Sequence, residues 1–454
     1  MNPHKKFDLV IKNGSLLYGT RSFHVHICIS EGKIAQIMDA ATVIPETEEI
    51  VDATGMYIFP GFIDPHVHFG LSLGEETSAD DFESGSLAAA WGGITTLFDF
   101  TEVVTGDVAQ LEQRIKVRQE QASKSLVNVR LHLAVAQPQI PPAQLVELAL
   151  RHRCHSIKVF TTYSESDRKT NDGYLYDLLK ASKGSPVTIM VHAENDDIIG
   201  YRMREIQKKR ALQSGDLPFL NPTLSETEAA LRVCLICKET GGTVYLAHIS
   251  SGRTVELLER HFSDIMGKQV FVESCPHYFY LNDTFLKGDL AYLFTCRPPL
   301  RSEQERVLLR QMLKRGLVHS IGTDHCPFSR EAKERHALDY ATMPNGLGSV
   351  ELSFSLMYNL FATEFSQLLL GELVKMYTQN PAQIFGLFPH KGVLAPGSDA
   401  DITLFDPGLS WKVSARTLHG RGDYSVYDGL KLTGKVHSTI CGGQFIIREH
   451  QRVG

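Results

Sequence analysis

Cysteine is scarce in this chain. Eight thiols in 454 residues are too few for the disulfide framework of a small secreted domain. Cys234 and Cys237 form a C-x-x-C, but it lies inside a helical pattern with no second pair nearby, which reads as buried helical thiols. Long apolar runs are missing too. The uncharged run Ser84–Phe98 is shorter than the ~18 residues a membrane helix needs, and Gly92-Gly93 interrupts it. Lys5 and Lys6 open the chain, but Asp8 and Lys12 interrupt the apolar residues after them, so there is no signal-peptide core. The expected compartment is the cytoplasm, with no membrane partner. Neither sign of charge dominates: 46 Lys+Arg against 52 Asp+Glu give a net charge of −6. The basic footprint of a nucleic-acid protein is absent, and no nucleic-acid partner is expected. The 36 Gly and 19 Pro have no short period, which excludes a fibrous repeat. With 43% hydrophobic and 22% charged residues, the composition is that of an ordinary globular protein.

What is present has a β–α/β–β order. Phe7–Ile11, His24–Ile29 and Ile34–Ile37 read as strands separated by Asn13-Gly14 and Glu31-Gly32-Lys33, a β module over residues 1–59. From residue 60 to 390, apolar strand-like runs alternate with helical patterns. The runs are Ile94–Phe98, Val127–Val135, Ser156–Phe160, Val187–Val191, Val244–Ala247, Gln269–Glu273 and Val318–Gly322. Such alternation argues a parallel α/β fold. Ser225-x-x-Glu228 reads as a capping box ahead of Ala229–Glu239, with Gly241 as the C-terminal cap. Residues 391–454 return to short strands and turns. A β module at each end of a barrel-like middle predicts that the two ends fold together.

Polar residues recur at the C-terminal ends of these runs: His66 and His68, Lys158, His192, His248 and Asp324. In a parallel barrel these ends converge on one face, where active sites form. His66 and His68, two apart on a strand, point to one side and suit chelation of one ion. His24 and His26 share that spacing without a partner carboxylate and read as surface strand. Taken singly, His192 and His248 also suit hydrogen-bonded core positions. Asp324 closes an apolar run, where an unpaired carboxylate is costly and a nearby cation would resolve the cost. Four His and one Asp match the N/O ligand set of zinc or another first-row metal. Lys158 does not fit, because an ammonium repels a cation; a snorkelling lysine is the alternative.

Together these residues resemble the cyclic amidohydrolases of the amidohydrolase superfamily, and most closely the dihydropyrimidinase/hydantoinase (phenylhydantoinase-like) group. The resemblance is carried by Pro60–Phe69, Thr77–Gly85, Ser156–Tyr163, Val191–Asn195, Leu246–Ser250, Glu273–Tyr278, Thr323–Phe328, Pro344–Leu347 and Asp423–Gly429, and it spans nearly the whole chain. It implies a (β/α)8 TIM-like barrel with a β-sandwich built from the N- and C-terminal segments. It implies two divalent metal ions, zinc by preference, and a CO2-derived carbamate on Lys158 that bridges them, which answers the repulsion. His66, His68 and Asp324 would take one ion; His192 and His248 would take the other. Asp324 would move the proton and the Tyr163 phenol would stabilise the oxyanion, while Arg297 and Asn345 would contact substrate. The implied assembly is a homotetramer or homodimer.

The implied reaction opens 5-substituted hydantoins or dihydropyrimidines to N-carbamoyl amino acids. Allantoinase or another cyclic-amide hydrolase is the alternative, and a non-catalytic scaffold relative, as in the neuronal collapsin-response mediator group, is a distant one. Dihydroorotase relatives carry an Arg where this chain has Gly70, which disfavours dihydroorotate. One departure stands out. The group typically has Ser before Pro-Pro-Leu-Arg, where this chain reads Cys296-Arg297-Pro298-Pro299-Leu300-Arg301. Arg297 either points outward to solvent or an acidic neighbour, or reshapes the pocket and pairs with an acidic ring substituent.

Overall fold

The computed structural model describes all residues except 1–5, 20, 103–105, 138, 366–368 and 454, and the side chain of residue 18. The N-terminal strands are β1 (Phe7–Tyr18), β2 (Arg21–Ser30), β3 (Lys33–Asp39), β4 (Thr47–Asp52) and β5 (Tyr57–Pro60). The first half of β1 pairs with β4 and its second half with β5, both parallel, while β2 runs antiparallel along its other edge. The register shifts between Ile11 and Gly14. Only glycine fits at Gly14, because a Cβ would sit 2.2 Å from Ile58 Cδ1. Strand β6 (Phe62–Val67) then enters a second sheet, and a short hairpin, β7 (Ser72–Leu73) and β8 (Glu76–Thr77), comes after it.

The second sheet holds eight parallel strands in the order β6, β9 (Ile94–Phe100), β10 (Asn128–Ala134), β11 (Ser156–Phe160), β12 (Thr188–His192), β13 (Val244–Leu246), β14 (Val270–Ser274) and β15 (Ser320–Ile321). Helices intervene, and the strands are almost wholly buried, as expected when a parallel sheet is covered on both faces. The barrel closes through Asp64. Its carboxylate accepts from Thr323 N at 3.0 Å and Thr323 Oγ1 at 2.6 Å, and His68 N donates to His325 O at 2.9 Å. Phe98, Tyr245 and Phe385 fill the interior away from the strand C-termini.

The chain then returns to the first sheet as β16 (Ile402–Lys412), β17 (Lys431–Cys441), β18 (Gln444–Arg448) and β19 (Gln451–Arg452). β16 pairs antiparallel with β5, so the two ends of the chain share one nine-stranded mixed sheet. Its core is Leu9, Ile11, Ile27, Ile29, Ile58, Ile402, Leu404 and Ile440. Aromatic rings join this sheet to the barrel. Phe354 stacks on Phe62 of β6 at 4.1 Å between centroids and meets Phe59 at 5.5 Å and Phe405 at 5.1 Å.

Two local expectations are corrected. The helix Thr223–Thr240 starts two residues before Ser225 and has Pro222 at its cap. Ser225 Oγ therefore donates to Pro222 O at 2.8 Å, and Glu228 takes a hydrogen bond from Asn195 Nδ2 instead of closing a capping box. Proline at the cap leaves the helix no side-chain acceptor, and the Ser-x-x-Glu spacing carries no information about where the turn begins. Gly241 does cap the other end, with φ 75°. His26 is not on the surface: it is buried and its Nδ1 accepts from Asn13 N at 3.1 Å, while His24 is exposed. The bulge in β1 turns that part of β2 inward. Cys234 and Cys237 are buried free thiols, and burial pushes Cys237 up to about 12. Among the described residues no helix is long and apolar enough to cross a membrane.

Phe354→Ala removes the ring shared by sheet and barrel. It should cost about 3–5 kcal/mol, read as a lower denaturant midpoint, and an unchanged midpoint would show that the joint lies elsewhere.

Candidate metal centre

Six polar side chains meet where the barrel strands end. His66 lies on β6, Lys158 on β11 and His192 at the end of β12; His68 directly follows β6, and His248 and Asp324 lie in the segments just after β13 and β15. His248 and Asp324 have φ of 40° and 49°, and Tyr163 has φ of 71°. Left-handed backbone is uncommon for such residues and is concentrated at functional sites, where surrounding structure holds it.

His66 Nε2 and His68 Nε2 each stand 3.2 Å from Asp324 Oδ1. One donor atom from each of the three lies within 4.8 Å of the others, the span of one coordinated cation. On the far side of His66 sits His248, with 5.3 Å between ring centroids, and His192 is next at 4.5 Å. Glu273 orients two members of this row. Its Oε1 accepts from His66 Nδ1 at 2.8 Å and from the His248 backbone N at 2.8 Å, while Tyr245 OH donates to its Oε2 at 2.7 Å. Glu194 Oε2 accepts from His192 Nε2 at 2.8 Å, and Asn221 Nδ2 donates to its other oxygen at 2.9 Å. A carboxylate on one ring nitrogen fixes the tautomer and leaves the other nitrogen's lone pair free for a metal.

The charge states agree with this. Burial pushes His68, His192 and His248 below the usual histidine range, so their imidazoles are neutral near neutral pH. Burial alone would raise Asp324, but His66 and His68 beside it hold its carboxyl well below the usual range. It therefore stays an anion.

Two buried groups in this row have no hydrogen-bond partner among the described residues: Lys158 Nζ and His248 Nδ1. An orphaned ammonium in a dry site is expensive, and burial draws the Lys158 amine down from 10.5 to about 8. Neutral imidazoles, a carboxylate and an amine without a partner fit a cation-binding site better than a packed core.

Tyr163 sits at the rim, its ring 4.9 Å from that of His192, and burial keeps its phenol protonated. The Arg297 guanidinium lies against two aromatic rings, and its Nη1 is 3.8 Å from Oε1 of the exposed Glu165, an acidic neighbour. Its guanidinium carbon lies 5.6 Å from the ring centroids of both Tyr163 and Tyr340, and its Nε donates to Tyr340 OH at 3.0 Å. Tyr340 OH in turn donates to Asn345 Oδ1 at 3.1 Å. Four neighbours are absent from the sequence-based set: Glu273, Glu194, His277 and Lys333. His277 is buried with neither ring nitrogen partnered among the described residues. Lys333 Nζ donates to Thr295 O and Oγ1, both at 3.1 Å, and to Gly346 O at 2.8 Å, tying together the segments that carry Arg297 and Asn345. A signal existed for Glu273, which closes the apolar run Gln269–Glu273 as Asp324 closes its own.

Glu273→Gln and Glu194→Gln leave the strand ends in place but remove the carboxylates that orient His66 and His192. Each should weaken metal affinity by about 10–100-fold, measured by competition with a chelator. Unchanged affinity would mean that the carboxylates only fill space.

The model of the amidohydrolase family matches residues 57–446. The chain is 33% identical over 457 residues to a D-hydantoinase of Geobacillus stearothermophilus, covering 98% of this chain and 94% of that protein. It is 29% identical over 441 residues to a D-phenylhydantoinase of Escherichia coli O1:K1 / APEC, covering 96% and 94%. A solved D-hydantoinase structure superposes with a TM-score of 0.91 at 32% identity, covering 98% of this chain and 96% of that one. A match over most of the chain, a shared barrel and a ring of metal-type ligands at its mouth agree: the chain belongs to the amidohydrolase family.

Proposed function

We propose that this protein is a metal-dependent cyclic amidohydrolase that opens 5-substituted hydantoins or dihydropyrimidines to N-carbamoyl amino acids. The similar proteins are named D-hydantoinase and D-phenylhydantoinase, and a solved dihydropyrimidinase from Brevibacillus agri NCHU1002 aligns with a TM-score of 0.90 at 29% identity. The observation that carries the proposal is the Lys158 amine, buried without a hydrogen-bond partner among the described residues, beside four imidazoles and the Asp324 carboxylate.

In this reading His66, His68 and Asp324 would hold one divalent ion, zinc by preference, and His192 and His248 a second. Lys158 would serve both as a carbamate: addition of its neutral amine to CO2, with release of one proton, would turn a repelling cation into an anionic oxygen ligand. When bound, the metal pair supplies Lewis-acid activation of the ring carbonyl and a water made nucleophilic near neutral pH. Asp324, kept anionic, accepts the proton of the attacking water and returns it to the departing ring nitrogen. The protonated Tyr163 phenol donates to the oxygen that gains charge. Arg297 and Asn345 border the space the ring would occupy. The catalytic unit is placed at residues 60–390, with 1–59 and 391–454 as the flanking β module.

A homodimer or homotetramer in the cytoplasm is the assembly we assign. Exposed Tyr201, Phe219, Leu224 and Leu235 lie on neighbouring helices, Asp196–Gln207, Leu217–Leu220 and Thr223–Thr240, and offer an apolar surface for a second copy.

Protein supplied with zinc and bicarbonate should open dihydrouracil and 5-phenylhydantoin and leave allantoin intact. Because the amine is neutral above about 8, activation of metal-free protein should be faster on the alkaline side of that pH than on the acid side. Turnover of allantoin alone would move the protein to the other ring, and activation indifferent to bicarbonate would remove the carbamate.

A further inference from the structure

We infer that Arg297 is a specificity residue for an anionic ring substituent, so that the favoured substrate is a cyclic ureide whose side chain carries a carboxylate. This rests on the ring-opening reading above and names its substrate class.

Arg297 differs from two other shielded arginines of the same fold in how its guanidinium is satisfied. Arg118 and Arg301 have side chains 10% and 3% exposed. Arg118 spends its donors on Asp99, Phe69 O, Phe100 O and Gln121. Arg301 spends its own on Ser250 Oγ, Asn221 O and Glu226. Both are closed structural pairings of the kind expected for buried arginine.

The Arg297 side chain is 19% exposed, and among the described residues only its Nε has a hydrogen-bond partner, Tyr340 OH. The terminal nitrogens face no acceptor within hydrogen-bond distance among those residues. Their one ion pair there is with Glu165, whose Oε1 lies 3.8 Å from Nη1 on a side chain that is 49% exposed. An ion pair of that length and exposure contributes little. Tyr163 and Tyr340 flank the guanidinium, each ring centroid 5.6 Å away. The aromatic rings and the Nε hydrogen bond therefore fix its position and leave the forked end open.

That open fork is one aromatic ring from the metal centre, since the Tyr163 ring lies 4.9 Å from the ring of His192. A pre-positioned guanidinium presents parallel N–H donors that match a carboxylate in two-point contact. Glu165 then acts as a loose placeholder that a substrate carboxylate displaces. A neutral side chain offers no such exchange and leaves the Arg297–Glu165 pair as it is.

The experiment compares 5-(carboxymethyl)hydantoin with its neutral near-isostere 5-(carbamoylmethyl)hydantoin on zinc- and bicarbonate-loaded full-length protein. Wild type should favour the carboxylate by about tenfold or more in kcat/KM, a size expected of a charge-assisted pair, mainly through KM, and added salt should shrink the preference. Arg297→Gln should abolish the preference. Glu165→Gln, at an exposed position, should increase it by removing the competing anion. A wild-type ratio near one, or a ratio unchanged in Arg297→Gln, overturns the inference, as does a Glu165→Gln protein with reduced preference. Dihydrouracil, which has no side chain, separates the two levels: turnover of it without carboxylate preference sinks this inference alone. If no ring is opened, calorimetry with the same two hydantoins decides. Arg297-dependent tighter binding of the carboxylate then supports the anion site while the ring-opening reading falls, and equal or absent binding overturns the site as well.

Discussion

A buried amine with no hydrogen-bond partner among the described residues is the constraint around which the mouth of this barrel is organised. Lys158 lies in the middle of β11, whose neighbour β12 ends in His192, while His66 and Asp324 come from the two ends of the strand order. As an ammonium it has nothing to donate to among the described residues, and it would oppose any cation the surrounding imidazoles attract. Burial already biases it toward the neutral form. In the proposed reading that nitrogen would become an anionic ligand, and three histidines held neutral, an ionised Asp324 and carboxylates placed behind the rings accord with it.

The supporting structure serves this centre. Glu273 and Glu194 do not face it; they hold His66, His248 and His192 from behind. Asp64 closes the barrel next to His66, and its two hydrogen bonds from Thr323 set the start of the turn that aims Asp324 inward. The cost of left-handed backbone at His248 and Asp324 is borne by this network. Farther out, Lys333 and Tyr340 tie the segments bearing Arg297 and Asn345 to each other. The terminal β module is joined to β6 through Phe62, Phe354 and Phe405, so the strand that carries His66 and leads into His68 is anchored at its root.

Much of this could be read in the sequence because parallel strands convert spacing into position. Apolar runs that end in His66-x-His68, His192, His248 and Asp324 must bring those residues to one face if the runs form a barrel. Lys158 is different: side-chain chemistry argues against it as a ligand, and only resemblance supplies the carbamate. Glu273 escapes because a carboxylate at a strand end looks the same whether it binds a metal, orients a histidine or meets solvent. The orientation of Arg297 is undecided in the sequence because it depends on Tyr163 and Tyr340, which lie far from it in the chain. The Ser225 capping box fails for a local reason: Pro222 starts the helix a half-turn early.

The measurement that bears most directly on the central claim is carbon-13 NMR of protein reconstituted with zinc and labelled bicarbonate, together with metal analysis of the same sample. The account predicts a carbamate signal and two ions per chain, both lost in Lys158→Met. A full metal complement with no carbamate signal, or a signal that survives in Lys158→Met, would contradict it.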